Sequence, residues 1–160
     1  MAKKKKKKES NGQVRILNKN ARRNYEIVEK LEAGIVLTGA EVKSIRAGEA
    51  QLKESYVKVR GGEAFLIACH ISPYVFARSE SFDVTRDRKL LLHKRQIEKL
   101  KIQTAHKGLS IIPLELFFNE KGRAKLNLGV GKGKKLFDKR EDIKSREMDR
   151  ELAREYRGKL

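Results

Sequence analysis

The residue types that most often perform catalysis are sparse in this sequence and are not grouped. His70, His93 and His106 are scattered, without the spacing that metal ligands require. Cys69, the only cysteine, stands next to His70. Adjacent residues of a strand point to opposite faces, so these two cannot form a nucleophile–base pair. We therefore expect Cys69 to be a core residue, and we predict a protein that is not an enzyme and uses no cofactor or metal.

The segment Gly129-Val-Gly-Lys-Gly-Lys-Lys is the nearest match to a phosphate-binding loop. It lacks the Gly-Lys-Ser/Thr ending that would hold magnesium, and no parallel βαβ pattern surrounds it. Nucleotide hydrolysis is therefore disfavoured. Because glycine relaxes the steric limits on the backbone, we predict instead that residues 131–137 form a flexible cationic hinge.

The feature of the sequence that points to a function is its excess of basic residues. The 160-residue chain has a net charge of +18, of which residues 1–23 carry +9 and residues 24–131 only +5. A charge excess of this size indicates a polyanionic partner such as RNA. The basic residues that we predict to bind RNA in the folded domain are Arg22, Arg23, Lys43, Arg46, Arg86, Arg88, Lys89 and Lys125, with Lys132, Lys134 and Lys135 following them.

The composition also indicates where in the cell the protein is expected. A single cysteine excludes an intrachain disulfide and suits a reducing environment. No apolar run approaches the roughly 18–20 residues that span a bilayer. The lysine run Lys3–Lys8 is not followed by the apolar region of a signal peptide. We expect a cytoplasmic monomer without membrane contact, in which residues 1–12 form a disordered basic arm.

The elements that position the basic groups lie in residues 13–130, which we predict to fold as one RNA-binding domain. Tyr25–Thr38 alternates like a strand, with a bulge or bend at Gly34. Turn residues at Gly61-Gly62 and at Asn119–Gly122 separate strand-like segments, which indicates two hairpins. About six strands predict a mainly β fold, a small antiparallel barrel of the oligonucleotide-binding type. Short helices are expected at Gly39–Gly48 and His93–Ala105.

Residues 138–160 have the pattern of an incomplete amphipathic helix. Asp138 and Glu141 have the spacing of a capping box. Met148, Leu152 and Tyr156 align on one face, but three apolar residues make too thin a stripe to dock firmly on the barrel. We predict that this tail is helical only when a partner orders it.

Several segments stand in order and with consistent spacing along the chain: Leu17–Arg22, Leu31–Ile35, Gly39–Gly48, Thr85–Leu92, Gly129–Lys135 and Asp138–Arg140. Together these segments resemble the family of SsrA-binding proteins, also called small protein B, the partners of transfer-messenger RNA. The resemblance covers nearly the whole chain from about residue 13.

The resemblance implies an adaptor that binds the tRNA-like domain of transfer-messenger RNA and delivers it to stalled ribosomes for trans-translation. By position, its RNA-contact residues fall on Glu32, Leu91, His93 and Lys125. It also implies that the tail enters the decoding centre and mRNA path of the small ribosomal subunit. The tail residues we assign to ribosome binding are Lys132, Gly133, Lys134, Lys135, Phe137, Asp138, Lys139, Arg140, Met148 and Tyr156.

Two other functions remain open from the residues alone. A structural ribosomal or ribosome-assembly protein would also combine a small β domain with basic extensions. A small RNA-processing enzyme is disfavoured, because no acid–base constellation is present in the sequence.

Overall fold

The computed structural model describes residues 14–76, 83–134 and 136–158, with the backbone alone at residues 136–138. The predicted arm at residues 1–12 lies outside these ranges, as do Lys135 and the side chains of Phe137 and Asp138. Within the described residues, the helices are α1 (Ala21–Asn24), α2 (Gly39–Arg46), α3 (Lys94–His106) and α4 (Leu136–Gly158). The strands there are β1 (Arg15–Leu17), β2 (Tyr25–Ile35), β3 (Ala50–Gln51), β4 (Tyr56–Arg60), β5 (Glu63–Ile67), β6 (His70–Ile71), β7 (Arg88–Leu91), β8 (Ser110–Phe118) and β9 (Ala124–Gly133).

Six strands close into an antiparallel barrel, which confirms the predicted architecture. Their order around the barrel is β8, β4, β5, β7, β2 and β9, and β9 pairs back to β8. β1 adds to β8 beyond this ring, and β3 pairs with β6 in a separate small sheet. Alternate residues of the strands point inward and form the core, in which Leu66, Leu116, Leu126, Leu128 and Val130 are completely buried.

Both predicted hairpins and both predicted short helices are present. β4 and β5 pair on either side of Gly61-Gly62, and β8 and β9 pair on either side of Asn119–Gly122. Helix α2 begins with a capping box, in which the Thr38 side chain accepts from the Glu41 backbone and the Glu41 carboxylate accepts from Thr38. Turn residues predicted the hairpins correctly, and apolar spacing predicted the helices.

The irregularity in β2 is at Val28, so the predicted bulge at Gly34 is wrong. The β2–β9 register shifts between Ile27 and Glu29, whereas Gly34 pairs regularly with Lys125. Gly34 pairs on its other side with Leu91 of β7. The glycine permits the close approach of that neighbouring strand, and a bend of β2 at this position stays a prediction.

The predicted hinge is wrong for residues 131–133, because these residues complete β9. Gly131 and Gly133 pair with Ile27 and Tyr25 of β2. A Cβ atom at Gly131 would lie 2.4 Å from the carbonyl oxygen of Glu26. Glycine at this position therefore permits two backbones to approach closely, and it does not make the segment flexible.

The tail forms helix α4, which begins at Leu136, two residues before the expected start. It contacts the rest of the molecule at α1. The apolar stripe of Met148, Leu152 and Tyr156 is 63%, 51% and 73% exposed, so it does not pack on the barrel. The dependence of this helix on a partner stays a prediction.

Candidate nucleic-acid interface

The outer face of the barrel carries two neighbouring rows of residues that cross several strands. Paired residues of antiparallel strands point to the same face, so strand register defines both rows. The intervening residues, such as Leu116 and Leu126, face the core. The first row is Arg15, Phe117, Lys125, Gly34 and Leu91, and the second is Leu17, Glu115, Asn127 and Glu32.

Gly34 leaves the first row without a side chain at its middle, and this opens a hollow in the barrel wall. A Cβ atom at Gly34 would lie 3.1 Å from the Cβ atom of Leu91 and 3.3 Å from its Cδ1 atom. A larger residue would therefore displace Leu91 or part the strands. The hollow has a volume of about 440 Å³. We call it the Leu91 hollow, and its lining residues are Glu32, Gly34, Leu91, Leu92, His93, Gln96 and Lys125.

The four residues that the family resemblance implies for RNA contact all line this hollow. Glu32 comes from β2, Leu91 from β7, His93 from the start of α3 and Lys125 from β9. These elements are distant in sequence, and barrel closure brings them together. The structure therefore places them as one surface, while their contact with RNA stays a prediction.

A carboxylate and an ammonium group face each other loosely in the Leu91 hollow. Lys125 Nζ is 3.9 Å from Glu32 Oε1, and the two side chains are 30% and 54% exposed. A pair this exposed contributes about 0–1 kcal/mol, so either group can change partners at low cost. Lys125 can then bind a phosphate, and Glu32 can accept from a base N–H or a ribose hydroxyl. The exposed side chain of Leu91 adds an apolar surface in the same hollow.

A side-chain cap holds the backbone where α3 begins at the edge of the hollow. The backbone N–H of His93 donates to Gln96 Oε1 at 3.0 Å. Gln96 stands three residues after His93, the spacing of a capping box. The cap thus fixes the backbone at His93, whose exposed imidazole side chain lines the hollow.

The prediction that Arg88 contacts RNA is wrong, because this residue is completely buried. Its Nε donates to the Glu41 carboxylate, and its Nη1 donates to the carbonyl oxygen of Cys69 at 2.7 Å. Arg86 Nε donates to the same carboxylate at 3.2 Å. Burial alone would raise the pKa of Glu41, but hydrogen bonds from Arg86, the Thr38 backbone and Arg88 outweigh it and lower the pKa. This network joins α2 to β7, the strand that lines the hollow.

The other predicted RNA-binding cations lie outside the Leu91 hollow. Lys89 is in an exposed ion pair. Lys43 Nζ and Arg46 Cζ lie over aromatic rings, 5.3 Å and 4.4 Å from the ring centroids. Arg22 and Arg23 are exposed on α1. None of these residues lines the hollow, and their RNA contacts stay predictions.

The predicted ribosome-binding residues at the junction of barrel and tail are anchored by backbone pairing. Lys132 and Gly133 end β9. The backbone N–H of Lys134 donates to the carbonyl oxygen of Asn24 at 2.9 Å, and its ammonium group pairs with Asp142. The start of the tail is therefore fastened to α1.

Further along α4, the predicted tail residues are presented to solvent. Arg140 is exposed and Lys139 is partly exposed near the start of the helix. Met148 and Tyr156 share one face with Leu152, at four-residue spacing. An exposed apolar stripe bordered by charged residues is a surface on which a partner can bind.

Three residues of the hollow, Gly34, Leu92 and Gln96, were not among the RNA-contact residues predicted from the sequence. Leu92 directly follows the predicted contact residue Leu91 in the sequence. Gln96 has the capping-box spacing from His93, which could have located the rim. For Gly34 the sequence holds no comparable signal, because the close approach comes from a strand remote in the chain.

In the described part of the chain, no group of His, Cys, Asp and Glu residues could hold a metal ion. Cys69 is buried as predicted, and burial raises its pKa to about 11, so its thiol is protonated at neutral pH. Among the residues described, no helix is long and apolar enough to cross a membrane.

The chain is similar to known proteins over most of its length. The family model described as "SmpB protein" matches residues 15–158. An SsrA-binding protein of Syntrophobacter fumaroxidans is 53% identical over 137 residues, which cover 86% of this chain and 84% of the relative. The SsrA-binding protein of Oleidesulfovibrio alaskensis is 49% identical over 150 residues, covering 94% and 96%. A chain solved under the description "tmRNA-SmpB: a journey to the center of the bacterial ribosome" matches with a TM-score of 0.66 and 41% identity, covering 81% of this chain and 94% of that one.

Proposed function

The chain belongs to the SmpB family, and from this we propose that it is a non-enzymatic adaptor that binds transfer-messenger RNA and brings it to stalled bacterial ribosomes. Its relatives are named for binding SsrA, and the solved neighbour is named for tmRNA and the ribosome. One observation on this chain carries the proposal. The closed barrel gathers Glu32, Leu91, His93 and Lys125 into a single solvent-exposed hollow.

The Leu91 hollow suits a folded RNA better than a bare phosphate backbone. Phosphate contacts position a protein but carry no sequence information. This hollow adds a carboxylate, an imidazole and an apolar side chain to its one lysine, and such groups contact base edges and ribose hydroxyls. We therefore assign the hollow to the tRNA-like domain, while cations elsewhere on the surface supply non-specific attraction.

We assign the ribosome to a different surface, helix α4. The helix leaves the barrel at α1, and its stripe of Met148, Leu152 and Tyr156 stays exposed. Its basic residues suit ribosomal RNA at the decoding centre and along the mRNA path. The barrel and the tail would then bind two RNA surfaces at once, which is what an adaptor requires.

The test is a comparison of affinities in a gel-shift or filter-binding assay. The full-length protein should bind the tRNA-like domain of transfer-messenger RNA more tightly than an unrelated structured RNA of equal length. Replacing Leu91 with alanine should weaken the specific complex about tenfold, because truncating an apolar anchor costs more than about 1 kcal/mol. Ile102→Ala is the matched control, since Ile102 is 52% exposed on α3 but does not line the hollow.

Equal affinity for both RNAs would refute the proposal. Sedimentation then separates it from the rival function of a structural ribosomal protein. A resident ribosomal protein stays with ribosomes at stoichiometric level through high salt. An adaptor binds when ribosomes stall, and it is released by the same salt because its contacts are largely electrostatic.

A further inference from the structure

A second opening lies on the outer face of the barrel, beside the Leu91 hollow. Its volume is about 590 Å³, within the range of about 300–1,000 Å³ that is common for ligand pockets. Glu32 lines both openings, so the two adjoin. We call it the Lys30 slot. Its cationic side is formed by Lys19, Arg22 and Lys30, and its apolar side by Leu17, Leu31 and Leu114.

The apolar side of the slot is open to solvent. Leu17 ends the second cross-strand row and is 58% exposed. Its neighbour in that row, Glu115, does not present a free charge, because one carboxylate oxygen pairs with Arg15 at 3.0 Å. The other accepts from Asn127 at 3.2 Å. Glu115 therefore adds little repulsion of an anion attached to an apolar group on the floor, and the other carboxylate of the slot, Glu32, faces the ammonium group of Lys125.

The cationic side of the slot is free to bind an anion. Among the residues that the structure describes, none of Lys19, Arg22 and Lys30 forms an ion pair. By contrast, Arg15 and Lys99 elsewhere on the surface are paired with glutamates. Three unpaired cations beside an apolar floor match the two parts of a nucleotide, its phosphate and its base.

We propose that the Lys30 slot binds an unpaired nucleotide of the RNA whose folded part occupies the Leu91 hollow. The base lies on the leucine side, and its phosphates contact Lys19, Arg22 and Lys30. A duplex cannot fill the slot, because its bases are stacked and paired, whereas a single-stranded loop can turn a base outward. This inference rests on the proposed function, since it places the same RNA in the adjoining hollow.

Leucine methyl NMR spectra of the full-length protein test the slot directly. Addition of a short single-stranded RNA should shift the methyl signals of Leu17 and Leu31, and a blunt duplex of the same sequence should not. Shifts of equal size with both RNAs, or no shift of these leucines with either, would overturn the inference.

Charge reversal supplies the second measurement. Lys30→Glu should weaken single-strand binding about tenfold and reduce the slope of log affinity against log salt by about 1. The matched control is Lys58→Glu, with the same charge change at an exposed residue of β4, across the barrel from β2. It should change affinity by less than about twofold, because salt screens charges that far apart. Equal effects of the two variants would mean general attraction and no slot.

Titration with the tRNA-like domain distinguishes the two proposals. Shifts at Leu17, Leu31 and Leu91 together support both. Shifts at Leu91 without the slot leucines would overturn the slot and leave the proposed function standing. Shifts at the slot leucines without Leu91 would support the nucleotide site and refute the proposed use of the hollow.

Discussion

Gly34 illustrates how one residue without a side chain shapes a binding surface. Leu91 and Lys125 flank it on the neighbouring strands, and the hollow exists because nothing projects between them. The glycine is therefore required by packing against Leu91, and through it by the shape of the interface.

Gly34→Ala should impair RNA binding by displacing Leu91. The added methyl group would lie 3.1 Å from the Leu91 Cβ atom, so one strand must shift by a few tenths of an ångström. We expect a loss of about 1–3 kcal/mol in the free energy of unfolding, measured by urea denaturation, together with weaker binding of the tRNA-like domain. Gly39→Ala, which meets nothing within 4 Å, is the control. Unchanged affinity in Gly34→Ala would show that the position of Leu91 is unimportant.

The Glu41 carboxylate gives the fold a dependence on pH. Its pKa in the folded protein lies below the ordinary value of 4.5. The charged form therefore stabilises the fold above about pH 4.5, and this contribution is lost as the pH falls through the lower folded-state pKa. We expect the free energy of unfolding, from urea denaturation at a series of pH values, to decrease in that acidic window.

Glu41→Gln should remove much of this pH dependence. At neutral pH it should also cost about 3–5 kcal/mol, because Arg88 would be left buried without its counterion. The control is Glu29→Gln, whose partner Lys99 is largely exposed. That variant should cost less than about 1 kcal/mol. A similar cost for both variants would contradict the role assigned to burial.

Strand β9 has two functions, since it closes the barrel and delivers the chain to the tail. Gly131→Ala should disturb both, because the new methyl group would lie 2.4 Å from the Glu26 carbonyl oxygen, a backbone atom that cannot move aside. We expect a loss of about 3 kcal/mol in the free energy of unfolding, at the upper end of overpacking effects. Gly133→Ala is the matched change in the same strand, where the nearest atom is 4.0 Å away. Equal stability of the two variants would contradict this account.

The sequence predicted features that depend on neighbouring residues better than features that depend on contacts between distant parts of the chain. Both hairpins and helix α2 were predicted correctly, because turn residues and the spacing of apolar residues along a helix act within a few positions. The buried state of Arg88 depends on α2 docking against β7, which no local pattern reveals. The glycines of β9 indicated flexibility in isolation, whereas pairing with β2 makes them sites of close backbone contact.

For the candidate site, the family resemblance identified residues that the charge pattern could not. Glu32 and Leu91 carry no positive charge, so a search for basic clusters passes over them. Most of the predicted cations lie outside the hollow instead, in ion pairs or over aromatic rings. Charge predicted the class of partner, and strand register determined which of the predicted contact residues lie together.

In the molecule as a whole, RNA binding and ribosome binding should separate on truncation. Removal of the chain after Lys134 deletes α4 but leaves β9 and its pairing with β2 complete. We expect affinity for the isolated tRNA-like domain to stay within about twofold, because the unpaired cations of the barrel remain. Tagging of stalled peptides in a reconstituted translation assay should be abolished.

A second truncation, which ends the chain at Gly129, serves as the control. It removes paired residues of β9, so it should destabilise the barrel and abolish both activities. Loss of RNA affinity on truncation after Lys134 would instead place α4 within the RNA-binding surface of the barrel.

The hydrogen bond from Lys134 to Asn24 gives the tail a fixed origin, and its 23 helical residues give it a length of about 35 Å. Because α4 is helical, its number of turns sets the distance between the barrel and the far end of the tail. Lengthening or shortening α4 by whole turns would move its C-terminal end in steps of about 5.4 Å without altering the surface of the barrel. The distance that the tail can span is thus set by the number of residues in α4.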